Sequence, residues 1–213
     1  MLDNYLVGDV ILFSIGEAVL SLREEIETFA LKMLSRPGQT SDFRRRIVAE
    51  AGIGPDTRVI DVATAVGGMA FAAAEKSHSV TAIDTSEERI KIAKADPRAN
   101  NIGFRVMDAA NTDFQDKAFD MALVVLGLHE MTTPGAKAAL KEARRIAKKL
   151  VVVEFGLDKW PLFWSFFRYA LALLEPPGFL KFTRHNIAGL IEEAGWKIDQ
   201  EHAKFPFVTY VCT

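Results

Sequence analysis

Short, nearly unbroken apolar runs alternate along this chain with segments in which apolar residues recur at helical spacing. The runs predict five buried strands, at 58–62, 79–84, 102–107, 118–126 and 150–155. Two further segments, 196–200 and 205–212, predict a closing hairpin at the sheet's edge. This alternation predicts an α/β fold: a doubly wound seven-stranded sheet with an antiparallel C-terminal hairpin, in a three-layer α/β/α arrangement.

Helical periodicity is clearest in 134–149, where apolar residues recur every three or four positions between basic ones. Lys148 and Lys149 are predicted to lie at the C-terminus of this helix, where the helix dipole favours cations. A capped helix is also predicted over 183–195, because Gly195 follows its last apolar turn.

Two segments lie outside the alternating pattern. Residues 1–40 predict a helical extension, and 157–182 form an insert dense in aromatic residues, including Trp160 and Trp164. The insert is interpreted either as core that covers the open end of the sheet or as an apolar lid over a bulky substrate. A peripheral membrane contact is a further reading of the same surface. We expect both segments to belong to one domain, 1–213.

Composition narrows the function classes. Of the 213 residues, 49% are hydrophobic and 25% are charged, which predicts a chain that folds. A net charge of −2 disfavours nucleic-acid partners. The single cysteine, Cys212, excludes an internal disulfide and suits the cytoplasm. The remote histidines His78, His185 and His202 lack metal-ligand spacing, so no metal is expected, and the oligomeric state is left open.

The stretch 59–70, VIDVATAVGGMA, is read as a buried strand that opens through a tight turn into a helix. The turn is built from small residues, namely Ala63, Thr64, Ala65, Gly67 and Gly68. Such a turn lets the backbone approach a ligand closely. Asp84 lies 21 residues after Ala63, at the end of the next strand, where a ribose diol is held. The spacing predicts a cofactor that contains adenosine.

Three motifs follow one another in a familiar order: VIDVATAVGG at 59–68, AIDTS at 82–86 and MDAANTDF at 107–114. This order resembles the class I S-adenosylmethionine-dependent methyltransferases, over roughly 43–213. FRRRIVAEAGI, FDMALVVLGLHEM and LVVVEFG are similar to segments of the quinone-biosynthesis C-methyltransferases and related small-molecule enzymes. The resemblance implies a Rossmann-like fold, S-adenosyl-L-methionine as cofactor and an apolar small molecule as methyl acceptor.

The resemblance also implies site residues. Asp84 would bind the ribose hydroxyls, Asp108 would accept from the adenine amino group, and the backbone at Ala109 would contact the ring. The full set that it implies for the cofactor is Asp61, Ala63, Thr64, Ala65, Gly67, Asp84, Thr85, Asp108, Ala109 and Leu126.

The chain departs from that family at two points. Ala63 and Ala65 stand where the first motif usually carries glycine, and each added methyl narrows the approach to the methionine part of the cofactor. The usual Lys-Pro-Gly-Gly turn before the fifth strand is absent, since Lys148 and Lys149 run straight into Leu150.

Candidate catalytic residues follow the fourth and fifth strands, at the sheet edge where ligands bind. His129 and Glu130 are the candidates, because His129 is able to deprotonate a phenolic acceptor near neutral pH. The alternative is that the pair caps the loop and bonds to backbone. Glu154, Trp160 and Trp164 are predicted to contact the substrate, with a bond from Glu154 to a nearby turn as the other interpretation.

Two other functions stay open. A nicotinamide-dependent oxidoreductase uses a similar turn and distant acid, although the chain has no Tyr-x-x-x-Lys pair. A non-catalytic methyltransferase-like binding module is the other, motivated by Ala63 and Ala65. Methyl transfer needs only alignment of the reactants, exclusion of water and, for some acceptors, removal of a proton.

Overall fold

The computed structural model of this chain describes residues 41–156, 186–204 and 207–213. The predicted helical extension over 1–40 and the aromatic insert over 157–182 lie outside these residues. Within the described ranges, no helix has the length and apolar character needed to cross a membrane.

The elements alternate as the apolar pattern predicts. The helices are α1 (Ser41–Glu50), α2 (Gly68–Ala74), α3 (Glu87–Lys94), α4 (Thr133–Ile146) and α5 (Ile187–Glu193). The strands are β1 (Arg58–Val62), β2 (Ser79–Asp84), β3 (Ile102–Val106), β4 (Phe119–Val125), β5 (Ala147–Phe155), β6 (Ile198–Lys204) and β7 (Phe207–Cys212). Short 3₁₀ turns cover Pro97–Asn101 and Leu128–Glu130.

The strands form one seven-stranded sheet in the order β3-β2-β1-β4-β5-β7-β6. Strands β1 to β5 pair in parallel, whereas β7 runs antiparallel to β5 and to β6. The predicted Rossmann-like sheet with its antiparallel C-terminal hairpin is therefore confirmed.

Helices cover the two faces of the sheet. One face packs Ile60, Val124 and Val152 against α4 and α5. The other packs Val59 and Leu123 against α1, α2 and α3. Because both faces of the central strands are buried, their sequences are continuously apolar rather than alternating. Because β1, β2, β4 and β5 run parallel, their carboxyl ends meet at one edge of the sheet.

The helix predicted to end at Lys149 ends at Ile146, and the strand begins at once with Ala147. The backbone of Ala147 is already extended, with φ −124° and ψ 156°. Lys117, from the loop before β4, fixes this junction, because its Nζ donates to the Ala147 carbonyl at 2.7 Å. The prediction that Lys148 and Lys149 lie at the helix C-terminus is therefore wrong, and both lie in β5.

Two C-terminal boundaries also differ from the prediction. The strand predicted over 196–200 is β6, which begins at Ile198 and continues to Lys204. Its side chains are exposed apart from Ile198, so apolar patterning carries no signal for its extent, and pairing with β7 sets it. The helix predicted over 183–195 is α5 within the described residues, and it ends at Glu193 rather than at Gly195. Asn186 caps α5 by accepting from the Gly189 N–H.

Candidate active site

A cavity of about 240 Å³ lies at the C-terminal ends of β1, β2 and β4. It is lined by Ala63, Asp84, Thr85, Arg89, Met107, Asp108, Ala109, Ala110, Gly127, Glu130, Met131, Gly135 and Ala139. The strand order reverses between β1 and β4, and open α/β sheets bind ligands at such a point. Five residues that the resemblance implies for the cofactor, Ala63, Asp84, Thr85, Asp108 and Ala109, thus meet at one cavity.

The turn after β1 contains three residues with left-handed backbone. Ala63, Ala65 and Gly67 have φ of 57°, 49° and 86°. A Cβ added at Gly67 would lie 2.9 Å from the Phe71 ring, so this position needs glycine. At Ala63 and Ala65 a left-handed backbone costs about 1–2 kcal/mol each by steric contact of Cβ with the carbonyl. The turn therefore stores backbone strain beside the cavity.

Ala63 also limits the space between β1 and β4. A Cβ added at Gly127 would lie 2.8 Å from the Cβ of Ala63, closer than side chains approach one another. A side chain at position 127 would therefore clash with Ala63, so glycine is needed there. The two residues contact each other on the cavity wall.

Asp84 joins the turn to the second strand. Its Oδ2 accepts the Ala65 N–H at 2.9 Å, and its Oδ1 accepts the Ser86 N–H at 2.9 Å. The side chain is buried yet lines the cavity. Each carboxylate oxygen has a second lone pair, so Asp84 is able to accept further hydrogen bonds from a ligand.

Asp61 and Thr64 are placed behind the turn and do not line this cavity. Asp61 Oδ2 accepts from the Thr64 hydroxyl at 2.5 Å and from the Ala70 N–H at 3.0 Å. Burial raises the pKa of Asp61 to about 7, against the opposing effects of these hydrogen bonds and of the Arg44 charge. Arg44 in turn packs its guanidinium against Gly68, and burial lowers its pKa.

The remaining cofactor candidates lie on the loops after β3 and β4. Asp108 is exposed on the cavity wall, where its Oδ1 accepts the Ala110 N–H at 2.8 Å. Ala109 is buried beside it. Leu126 has a φ of 56° and donates its N–H to the Val153 carbonyl, and its neighbour Gly127 rather than Leu126 itself lines the cavity.

The side chains of His129 and Glu130, the two candidate catalytic residues, have different surroundings. His129 is 5% exposed and its Nδ1 lies 2.9 Å from Oε2 of Glu154, which is 1% exposed. The other oxygen of Glu154 accepts the Leu128 N–H at 2.8 Å. Glu130 instead lines the cavity and pairs with Arg89 at 2.8 Å. The structure thus joins His129 to Glu154, a contact that sequence spacing did not predict.

A chain of aromatic rings runs away from His129. Its imidazole lies 5.4 Å from the Phe155 ring, Phe155 lies 5.4 Å from Phe207, and Phe207 lies 4.8 Å from Phe43, centroid to centroid. The three phenylalanines are half-buried. The predicted substrate residues Trp160 and Trp164 lie outside the described residues.

Sequence reasoning missed several cavity residues, among them Arg89, Met107, Gly127 and Met131. Two of them had a usable signal. Gly127 directly follows the apolar run of β4, and Met107 directly follows β3, so both stand at carboxyl ends of parallel strands. Arg89 had none, because its position depends on how α3 packs beside β2.

Comparison with known proteins gives a consistent assignment. Residues 59–149 match the family described as "Methyltransferase domain". Demethylmenaquinone methyltransferase of Renibacterium salmoninarum is 37% identical over 122 residues, which is 56% of this chain and 50% of that protein. The ubiquinone/menaquinone biosynthesis C-methyltransferase UbiE of Geotalea daltonii is 28% identical over 193 residues, covering 82% of this chain and 81% of the relative. The first of these alignments thus spans only half of the relative's length.

Solved structures agree on the fold. A SAM-dependent methyltransferase from Aquifex aeolicus superposes with a TM-score of 0.66 at 18% identity, covering 86% of this chain and 96% of that one. Magnesium protoporphyrin IX methyltransferase from Synechocystis, with bound SAH, gives 0.63 at 17% identity over 82% and 81%. Taken together, the matched domain, the relatives and the solved structures show that this chain is similar to the class I S-adenosylmethionine-dependent methyltransferases.

Proposed function

We propose that this chain binds S-adenosyl-L-methionine in the cavity at the ends of β1, β2 and β4 and transfers its methyl group to an apolar small molecule, a quinone precursor or a lipid-like acceptor. The observation that carries the proposal is the position of Asp84. Its carboxylate anchors the left-handed turn through the Ala65 N–H and lines the cavity at the same time. A ribose diol is recognised by an acid in this position.

The charge of the cavity suits a cationic cofactor. Its lining includes three acids, Asp84, Asp108 and Glu130, and one base, Arg89, which is paired with Glu130. A sulfonium carries one positive charge, and an acidic cavity favours it over an anionic dinucleotide.

Two features support an aromatic, apolar acceptor. The half-buried rings of Phe155, Phe207 and Phe43 begin beside His129 and offer flat apolar contacts. The two relatives above are named for methylation of quinone precursors. Cytoplasmic location, and peripheral membrane contact through the 157–182 insert, stay predictions.

The chain's own groups have separate tasks in this reaction. The cofactor supplies an electrophilic methyl group on sulfur, and the turn at 63–67 with Asp84 would fix its adenosyl end. Burial of His129 and Glu154 keeps water away from the acceptor side. His129 is proposed to remove the acceptor's proton. Glu130 is proposed to hold Arg89 in place at the cavity wall through their ion pair.

Calorimetric titration of the folded chain with S-adenosylmethionine, S-adenosylhomocysteine and NADH tests the proposal. We expect binding of both adenosyl ligands and none of NADH. Asp84→Ala should weaken binding of S-adenosylhomocysteine by about 1–3 kcal/mol, because charged hydrogen bonds to the ribose are lost.

Asp113→Asn is the matched control for that titration. Asp113 is exposed, pairs with Arg105 and does not line the cavity, so its substitution should leave affinity unchanged. Unchanged affinity in Asp84→Ala would contradict the ribose assignment. Binding of NADH alone would favour an oxidoreductase, and binding of none of the three would favour a non-catalytic module.

A further inference from the structure

The loop that joins β3 to β4, residues 107–118 of the described chain, forms one wall of the cofactor cavity although it contains no helix or strand. Its first residues, Met107, Asp108, Ala109 and Ala110, line the cavity. A loop of this kind has no ladder of strand hydrogen bonds, so its backbone polar groups need other partners to keep one conformation. The shape of this cavity wall therefore depends on those partners.

Two side chains of α4 supply partners for the loop. Glu142 Oε1 accepts the Thr112 N–H at 3.0 Å and the Thr112 hydroxyl at 2.6 Å. Arg145 Nη1 donates to the Phe114 carbonyl and to Asp116 Oδ1, each at 2.7 Å. Arg145 Nη2 donates to the Thr112 carbonyl at 3.3 Å. Both backbone polar groups of Thr112 are thus held from the same helix.

Glu142 and Arg145 also bind each other. Arg145 Nε donates to Glu142 Oε2 at 3.0 Å and Nη2 donates to Oε1 at 2.6 Å, which makes a bidentate pair. Bidentate hydrogen bonds between charged groups are among the strongest in proteins. The Arg145 guanidinium lowers the pKa of Glu142 to about 2, more than burial raises it, and the Thr112 donors lower it further. Glu142 is therefore ionised at neutral pH and accepts all of these bonds.

Helix α4 reaches the cavity one turn before this pair. Gly135 and Ala139 line the cavity, and Glu142 follows Ala139 by three residues, on the same face of the helix. Ala109 of the loop is buried in the core cluster that also contains Ala139 and Ala143. Small residues thus let the loop pack close to α4 at the cavity, and the charged pair holds the loop at the next turn.

We propose that Glu142 and Arg145 are positioning residues that hold the loop 107–118 so that Asp108 and Ala109 face the adenine of the cofactor. The inference rests on the proposed function for the ligand, and on the hydrogen bonds above for the loop. Glu142 and Arg145 do not line the cavity, so they act on a ligand through the loop that they hold.

Two substitutions separate the parts of this contact. Glu142→Ala removes the acceptor of the Thr112 N–H and hydroxyl, and it removes one of the two carboxylate partners of Arg145. Glu142→Gln keeps the side-chain length and one acceptor oxygen for Thr112, but its NH₂ group cannot accept from Arg145. We therefore expect Glu142→Gln to retain part of what Glu142→Ala loses.

Calorimetric titration of the full chain with S-adenosylhomocysteine and S-inosylhomocysteine measures the adenine contact. The second ligand has a carbonyl oxygen where adenine has its amino group, so it meets Asp108 with an acceptor in place of a donor. We expect the wild type to prefer S-adenosylhomocysteine by about tenfold or more, the scale of one charged hydrogen bond. That preference should fall to about twofold in Glu142→Ala and to an intermediate value in Glu142→Gln.

A merely structural role would weaken both ligands alike and leave the preference in Glu142→Ala unchanged, which would overturn the inference. A wild type without the preference would overturn it too. Glu193→Gln is the matched control, because Glu193 pairs with Lys137 of the same helix α4 at 2.6 Å and does not line the cavity. It should keep the wild-type preference, and its loss there would contradict the assignment to Glu142.

Amide hydrogen exchange of the full chain without ligand tests the loop contact by itself. The Thr112 N–H should exchange about tenfold faster in Glu142→Ala than in the wild type, because its acceptor is lost, and at the wild-type rate in Glu193→Gln. An unchanged Thr112 rate in Glu142→Ala would overturn the inference. Loss of S-adenosylhomocysteine binding in the wild type would refute the proposed function and the adenine role together, whereas the exchange rates report on the loop alone.

Discussion

Strands β1 and β5 carry charged residues near both of their ends, and β4 carries Asp120 near its N-terminal end. The charged residues at the two edges of the sheet have different surroundings. At the N-terminal edge, Asp120 lies between Arg58 and Lys148, at 3.0 and 2.9 Å, with all three side chains partly in water. These cations hold the pKa of Asp120 well below its usual range. At the C-terminal edge, Asp61 and Glu154 are buried.

The two edges differ in how exposed their charged side chains are to solvent and in which groups those side chains contact. Asp61 is surrounded by neutral donors, the Thr64 hydroxyl and the Ala70 N–H, and burial outweighs them together with Arg44. The N-terminal edge therefore stabilises the charge of Asp120, whereas the C-terminal edge holds the charge of Asp61 at a cost in stability. Sites that bind ligands commonly keep such unfavourable features.

Asp61→Asn should produce the largest change in stability. The folded pKa of Asp61, about 7, lies above its ordinary 3.8, so the folded state keeps a proton that the unfolded state has lost between these values. The free energy of unfolding then falls as pH rises, by up to about 1.4 kcal/mol per pH unit. The asparagine variant lacks this loss and should gain on the order of 2–4 kcal/mol relative to wild type between pH 4 and pH 8.

Urea unfolding of both proteins from pH 4 to pH 8 checks the prediction. Only the difference between the two curves counts, since every other titrating group is common to both. Parallel curves would mean that Asp61 ionises normally and that the contrast between the edges is unfounded.

Asp120→Asn sharpens the comparison from the opposite edge, with a smaller effect of the opposite sign. The lowered pKa of Asp120 means that its stabilisation is present above the unfolded value and is lost as pH falls below about 4. We expect the variant to be less stable by about 1 kcal/mol at pH 7, because solvent screens these exposed pairs.

Urea unfolding extended below pH 4 should show Asp120→Asn and wild type converging, because the stabilisation by Asp120 is lost in that range. A gap that widens on acidification would reverse the assigned sign. Measured together, Asp61→Asn and Asp120→Asn form a matched pair: one chemical change at two edges of one sheet.

The parts of the fold that the sequence predicted are those specified locally. The bounds predicted for β1 and β2, 58–62 and 79–84, are the observed ones, because a buried parallel strand is a continuous apolar run with clear ends. The end of α4 was missed, since it depends on Lys117, a residue distant in sequence. The extent of β6 was missed because exposed side chains give no pattern.

The candidate site divides in the same way. The small-residue turn and Asp84 have a fixed spacing that reflects a strand, a helix and the next strand, and the structure brings Ala63 of the turn and Asp84 to one cavity. The contact of His129 with Glu154 joins two loops through the register of β4 against β5, which no local pattern encodes. The burial that raises the pKa of Asp61 is likewise a property of the packed core.

Ala65→Gly gives the smallest expected effect and tests whether the C-terminal edge holds backbone strain as well as buried charge. Ala65 has a φ of 49°, a conformation that glycine adopts without steric cost, so the variant should be more stable by roughly 0.5–1 kcal/mol. Ala49→Gly is the control, because Ala49 is exposed within α1, where the same change should destabilise by roughly 0.5–1 kcal/mol. Urea unfolding at constant pH compares the two variants with wild type. Shifts of the same sign would show that the turn is unstrained at Ala65, and the cost at this edge would then lie in the backbone of Ala63 and the buried charge of Asp61.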